Sequence, residues 1–169
     1  MRQVGSGSRP VRIREVTTEP GFRAARELLQ EYAAGLGIDL SFQGYQKELD
    51  LLPGAYAAPG GAIFLALSDD RAVGMVALRP LHPGTCELKR LFVRPAFRRS
   101  GTGTQLVEAA LSGARVRGYA EVVLDTLPAM AGALALYRRL GFQDIPPYYA
   151  TPIPGTLFLK KGLRDSAQG

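Results

Sequence analysis

Two glycines, two residues apart and just behind a run of arginines, have spacing that can do chemistry. They lie in Arg94-Pro95-Ala96-Phe97-Arg98-Arg99-Ser100-Gly101-Thr102-Gly103-Thr104. An apolar run over 86–93 precedes this stretch and reads as a strand ending at Pro95. A helical run follows it, with a polar stripe at Gln105, Glu108, Ser112 and Arg115. A basic glycine loop feeding a helix N-terminus is an anion site: free N–H groups and the positive end of the helix dipole face the same point. Gly101 and Gly103 carry no Cβ to hold a phosphate away from the backbone. The chemistry this stretch can do is to hold a phosphorylated ligand.

Other reactive side chains lie on either side of the loop. Glu87 stands on the strand before it, and Asp125 ends the strand-like run 121–125. Tyr137 lies in a later helical run, where a phenol needs a partner or solvent when buried. Period-two alternation puts Glu87 on one face with Lys89, Leu91 and Val93. The single cysteine, Cys86, has no histidine near it in sequence and reads as a small buried residue. His82, the sole histidine, sits in a turn, and no cluster of metal ligands accompanies it.

With these residues set out, the chain resembles the GNAT superfamily of N-acetyltransferases. Arg98-x-x-Gly101-x-Gly103 is similar to the segment by which that family holds the pyrophosphate of acetyl-CoA. Ala133-Leu134-Ala135-Leu136-Tyr137-Arg138-Arg139-Leu140-Gly141-Phe142 resembles its Ala-x-x-x-Tyr-x-x-x-Gly-Phe segment. The resemblance implies acetyl-CoA as donor, an amine as acceptor, and direct attack in a ternary complex. It implies a cofactor site of Leu91, Phe92 and Val93 along pantetheine, and Arg98, Arg99, Ser100, Gly101, Thr102, Gly103 and Thr104 around pyrophosphate, with Ala133 and Tyr137. Tyr137 would be general acid to the departing thiolate and Glu87 the base, with Asp125 as second choice and a structural ion pair as the other reading of Glu87. One departure stands out: many members place an asparagine where this chain has Met130, and a thioether makes no amide hydrogen bonds. Phe42, Tyr45, Tyr148 and Tyr149, with Tyr56, fall in the two irregular regions where such enzymes build the acceptor pocket.

The elements that must position these groups can be read in order. A tail over 1–9 precedes a domain over 10–164, with a second tail over 165–169. Strand-like runs at 11–16, 62–67, 72–78, 86–93, 121–125, 142–145 and 157–161 alternate with helical runs near 20–34, 46–51, 102–117 and 129–140. The order is β-α-α-β-β-β-α-β-α-β-β, an α/β (α+β mixed) class with a central mixed sheet of six to seven strands flanked by helices. That is also the order of the GNAT fold. The resemblance therefore covers roughly 11–163.

Composition bounds the reading. At 169 residues, with 46% hydrophobic and 21% charged, this is one ordinary globular domain. No apolar run reaches the roughly 18 residues of a membrane span, no secretory signal is visible, and one cysteine allows no internal disulfide. A cytoplasmic enzyme is the expectation. The net charge of +6 suits a phosphorylated partner, and its basic residues gather at the glycine loop without the aromatic interleaving of a nucleic-acid motif. A small polyanion fits better than a duplex. Alternatives are an acyl-CoA-binding module without turnover and, more distantly, a basic nucleic-acid-binding domain. A small-molecule acceptor is favoured slightly over a protein. Dimers are common in the family, and no strip of the sequence declares an interface.

Overall fold

Alternation in Ala62–Ser68 sends Ile63 and Leu65 to one face of a strand and Ala62, Phe64 and Ala66 to the other, and both sets are buried. A strand apolar on both faces must be central, covered on each side. A computed structural model of the chain, which describes residues 10–37 and 44–164, shows this arrangement. Seven strands form one sheet: β1 (Arg12–Glu15), β2 (Ala62–Ser68), β3 (Arg71–His82), β4 (Thr85–Val93), β5 (Glu121–Thr126), β6 (Gln143–Ile145) and β7 (Leu157–Gly162). Their spatial order is β1-β2-β3-β4-β5-β7-β6, antiparallel except for β4 beside β5. Helices α1 (Glu19–Leu36) and α2 (Tyr45–Asp50) pack on one face, and α3 (Thr102–Val116) and α4 (Ala131–Arg139) on the other. This is the expected α/β class and element order.

The parallel pair is short. β4 and β5 are in register only at Thr85, Cys86 and Glu87, opposite Glu121, Val122 and Val123. Beyond Glu87 the two strands part, which leaves the second half of β4 without a β5 partner. The cause lies at Arg90, whose φ of 61° places a non-glycine residue in the left-handed region. There Val76 of β3 faces both Arg90 and Leu91, because Ala77 pairs with Lys89 and Met75 with Phe92. This is a β-bulge, and it bends the strand.

The bulge corrects one sequence expectation. Plain alternation groups Glu87 and Lys89 with Leu91 and Val93, but the extra residue swaps the faces after Arg90. Glu87 and Lys89 share the α1/α2 face with Phe92, while Leu91 and Val93 pack toward α3 and α4. Arg90 is held in this conformation by Glu48 of α2, through Nε at 2.9 Å and Nη2 at 3.2 Å. Tyr56 donates its hydroxyl to the same carboxylate at 2.7 Å. Burial pushes this phenol well above its ordinary range, so it stays a donor.

Tyr56 reaches that position because Gly61 lets its backbone approach. A Cβ on Gly61 would lie 2.6 Å from the Tyr56 carbonyl carbon and 2.8 Å from the Ala55 oxygen. Neither backbone atom can yield cheaply. Gly61→Ala is expected to destabilise the fold by about 1–3 kcal/mol, the range for overpacked sites, read as a lower urea midpoint at unchanged slope.

A second expectation shifts at α4. Proline-in-first-turn chemistry predicts a helix over 129–140, but residues 128–129 form a separate turn closed by Met130 N–H on Leu127 O at 2.9 Å. The helix begins at Ala131, with Met130 as its N-cap.

Candidate active site

The separation of β4 from β5 opens a groove that begins at the glycine loop. Its outer part is a cavity of about 740 Å³ lined by Leu91, Phe92 and Val93 of β4, Arg98, Arg99, Gly101, Gly103 and Thr104 of the loop and α3, and Ala133, Leu136 and Arg139 of α4. Nine of the expected cofactor residues thus share one cavity wall. The inner part is a narrow wedge of about 40 Å³ between the two strands, lined by Leu88, Lys89, Arg90, Asp125, Thr126, Leu127, Tyr137 and Ile153 among others. Tyr32, Leu91 and Met130 line both parts, so one leads into the other.

The loop is built to present backbone. Arg99 (φ 64°) and Gly101 (φ 84°) both turn left-handed, and Gly101 is the N-cap of α3. Ser100 Oγ donates to Phe97 O at 2.6 Å and lies 3.0 Å from Thr102 Oγ1, whose residue is buried. Ser100 and Thr102 therefore brace the loop from behind and do not line the cavity. Arg94 ties it to α1 through Glu31 at 2.8 and 2.9 Å, and to Ala72 O at 2.9 Å. That pairing holds the Glu31 carboxyl below its ordinary range. Arg98 donates Nε to Val93 O at 2.8 Å and sets its guanidinium 5.8 Å from the Phe92 ring centroid. Part of its donor set is spent on the scaffold.

Tyr137, 5% exposed, reaches the wedge from α4 and packs edge-on against Phe142 with centroids 5.6 Å apart. Its hydroxyl has no hydrogen-bond partner among the described residues. Burial, with Tyr32 and Asp125 nearby, pushes the phenol well above its ordinary range.

Glu87 is 1% exposed and fully engaged. Arg79 Nε donates to Oε1 at 2.7 Å, Tyr148 donates its hydroxyl to Oε2 at 2.6 Å, and Lys89 Nζ lies 4.0 Å from Oε1. Tyr149 donates its hydroxyl to Asp125 on the adjoining strand. The two tyrosines thus tie the segment between β6 and β7 to β4 and β5, and both stack edge-on against Phe158; of the two acids only Asp125 lines the wedge itself. Burial and the facing carboxylates raise both phenols.

Of the remaining aromatic candidates, Tyr45 lies away from the groove: its hydroxyl donates to Leu29 O and its ring sits under Arg90. Phe42 falls outside the described residues. Cys86 is buried in the core, and desolvation pushes its thiol up to about 12. No group of three or more metal-binding side chains occurs among the described residues, and no described helix is long and apolar enough to cross a membrane.

Two residues in the groove were not singled out from sequence. Tyr32 reads as one more apolar position of α1, yet it lines both cavities and meets Phe92 edge-on at 6.2 Å. Lys89, 6% exposed, had a visible signal: a lysine amid the buried residues of a central strand.

Comparisons with known proteins agree with this geometry. The family model described as "Acetyltransferase (GNAT) family" matches residues 22–142. An uncharacterised N-acetyltransferase of Schizosaccharomyces pombe is 38% identical over 135 residues, 79% of this chain and 83% of that one. The crystal structure of an acetyltransferase from Streptococcus agalactiae superposes with a TM-score of 0.73 at 25% identity, over 90% of this chain and 98% of that one. The PaiA N-acetyltransferase of Thermoplasma acidophilum, solved with coenzyme A, shares the fold with a TM-score of 0.70 at 16% identity, over 90% and 99%. The split between β4 and β5, the glycine loop at the head of α3 and these likenesses point the same way: the chain belongs to the GNAT family of acetyltransferases.

Proposed function

We propose that the protein moves acetyl from acetyl-CoA to a primary amine by direct attack within a ternary complex. The observation that carries this reading is the continuous groove from the glycine loop to the wedge. The long arm of the donor would lie along residues 91–93 of β4, with pyrophosphate at the first turn of α3. The thioester would then sit at the mouth of the wedge, beside Tyr137. A main-chain N–H of the unpaired half of β4 would hold the oxyanion as it forms.

The residues divide the proton traffic. The amine must lose a proton before its nitrogen forms a bond to the thioester carbon, and the C–S bond then breaks toward the sulfur. Glu87 takes the amine proton through the Tyr148 hydroxyl, which can pass one proton on as it accepts another. Tyr137 donates to the departing sulfur. Asp125 is the second reading for the base, since it lines the wedge directly. Single variants separate the two: Glu87→Gln is expected to lower kcat/KM about 10²-fold, the low end for general acid–base groups, and Tyr148→Phe should reproduce most of that loss. A large loss in Asp125→Asn with Glu87→Gln near wild type would assign the base to Asp125.

The first experiment is a calorimetric titration of acetyl-CoA, followed by thiol release with a panel of amines. Saturable binding with amine-dependent release supports the reading. Binding without release favours a non-catalytic acyl-CoA module. Absence of binding, with steeply salt-dependent duplex affinity, favours a nucleic-acid domain. A free small amine is favoured slightly over a protein acceptor.

A further inference from the structure

Lys89 is a buried cation that the transfer reaction does not use. Its side chain is 5% exposed and lines the wedge. The nearest opposite charge is Glu87 Oε1 at 4.0 Å, beyond hydrogen-bond reach, and that carboxylate already accepts from Arg79 at 2.7 Å and Tyr148 at 2.6 Å. Among the described residues no acceptor hydrogen-bonds to Nζ. An ammonium has three donors, and Nζ is not sealed in the core but opens onto the wedge, where a ligand can meet them. Desolvation accordingly lowers the Lys89 pKa, with Arg90 and Arg79 adding to the effect and Glu87 and Asp125 opposing it.

The wedge therefore has an under-neutralised cation on β4 and a carboxylate, Asp125, on β5. Leu88, Leu127 and Ile153 around them keep the local dielectric low, which strengthens any charge pair formed there. A cavity of about 40 Å³ has room for a carboxylate, not for a bulky substituent, which would stay outside. The complementary ligand bears an anion and a reactive nitrogen side by side.

Resting on the acetyl-transfer reading above, we propose that Lys89 anchors the carboxylate of the acceptor, so that the acceptors are α-amino acids or similar small amines with a carboxylate beside the reacting nitrogen. A structural role for Lys89 would require a partner inside the protein; the geometry provides only a distant, already shared one. The ligand's carboxylate supplies the missing acceptor and takes its place near the thioester.

The test compares each of three acids, glycine, L-alanine and L-methionine, with its own amide, which keeps the amine and removes the charge. Calorimetry on CoA-saturated protein is expected to show at least one acid binding about tenfold or more tighter than its amide, the size of one charge-assisted hydrogen bond. Lys89→Met should erase that preference and Lys89→Arg should retain part of it. In turnover the Lys89→Met loss should fall on KM for the acid more than on kcat. Equal binding of acid and amide by the wild type overturns the proposal, as does a preference that survives in Lys89→Met. If Lys89→Met does not fold, the wild-type comparison alone decides. Failure of CoA itself to bind would instead sink the acetyl-transfer reading, and the acid–amide comparison on the free protein would still report on Lys89.

Discussion

Gly103→Asp is expected to abolish measurable acetyl-CoA binding while the protein stays folded. Gly103 stands in the first turn of α3 and lines the outer cavity. A Cβ there would lie 3.1 Å from Leu136 Cδ1, a contact that a methyl group can relieve by a few tenths of an ångström. Sterics alone therefore cost little, and Gly103→Ala should weaken binding about tenfold at most. The carboxylate is the larger effect. Two like unit charges about 4 Å apart repel by about 4 kcal/mol at an effective dielectric of about 20, close to a thousandfold in affinity. The fold gains from the same change, because an acidic side chain in a first helical turn is favourable by about 0.3–1 kcal/mol. Calorimetry with a thermal melt beside it separates the two terms. Wild-type affinity in a folded Gly103→Asp protein would remove the glycine loop from the donor site.

How much of this was legible in the sequence follows from how local each cause is. The glycine loop was legible because its chemistry is contiguous: Arg98 to Thr104 form one loop and one helix start, and five of those seven positions line the outer cavity. The order of strands and helices along the chain was legible because apolar runs in β2 and β4 are bounded by turn residues. The swap of faces after Arg90 was not, since nothing in Lys89-Arg90-Leu91 marks a left-handed residue. The bulge depends on Glu48, distant in sequence, whose carboxylate holds the Arg90 guanidinium. Glu87 shows the same limit. Its position on β4 was plain, but its partners Arg79 and Tyr148 come from another strand and from the segment before β7. The start of α4 failed for a nearer reason: a proline suits a first helical turn and a tight turn alike, and the Met130 N–H to Leu127 O bond selected the turn.

Tyr137→Phe is the sharper test of chemistry, because it removes one oxygen and nothing the fold depends on. The hydroxyl has no hydrogen-bond partner among the described residues, and the ring's edge-on contact with Phe142 survives the change. Stability should hold within about 0.5 kcal/mol, as for a substitution that strands no partner. Turnover should not: kcat is expected to fall about 10²–10³-fold, within the range for a lost acid. The raised pKa of this phenol shapes how it acts. It lies above the roughly 8.5 of a free thiol, so a completed transfer from phenol to thiolate runs uphill. The hydroxyl instead stabilises sulfur by donating a hydrogen bond as negative charge builds, and the proton is delivered in step with resupply from solvent. The sign for pH follows. A group whose pKa is raised remains protonated through the assay range, so Tyr137 contributes no alkaline fall in kcat, and wild type and variant should share one profile shape at different heights. An alkaline limb present in the wild type and absent in Tyr137→Phe would mean that the phenol titrates within reach and acts as an ordinary acid. Full kcat in the variant would take Tyr137 out of the reaction and leave sulfur to be protonated by water in the groove.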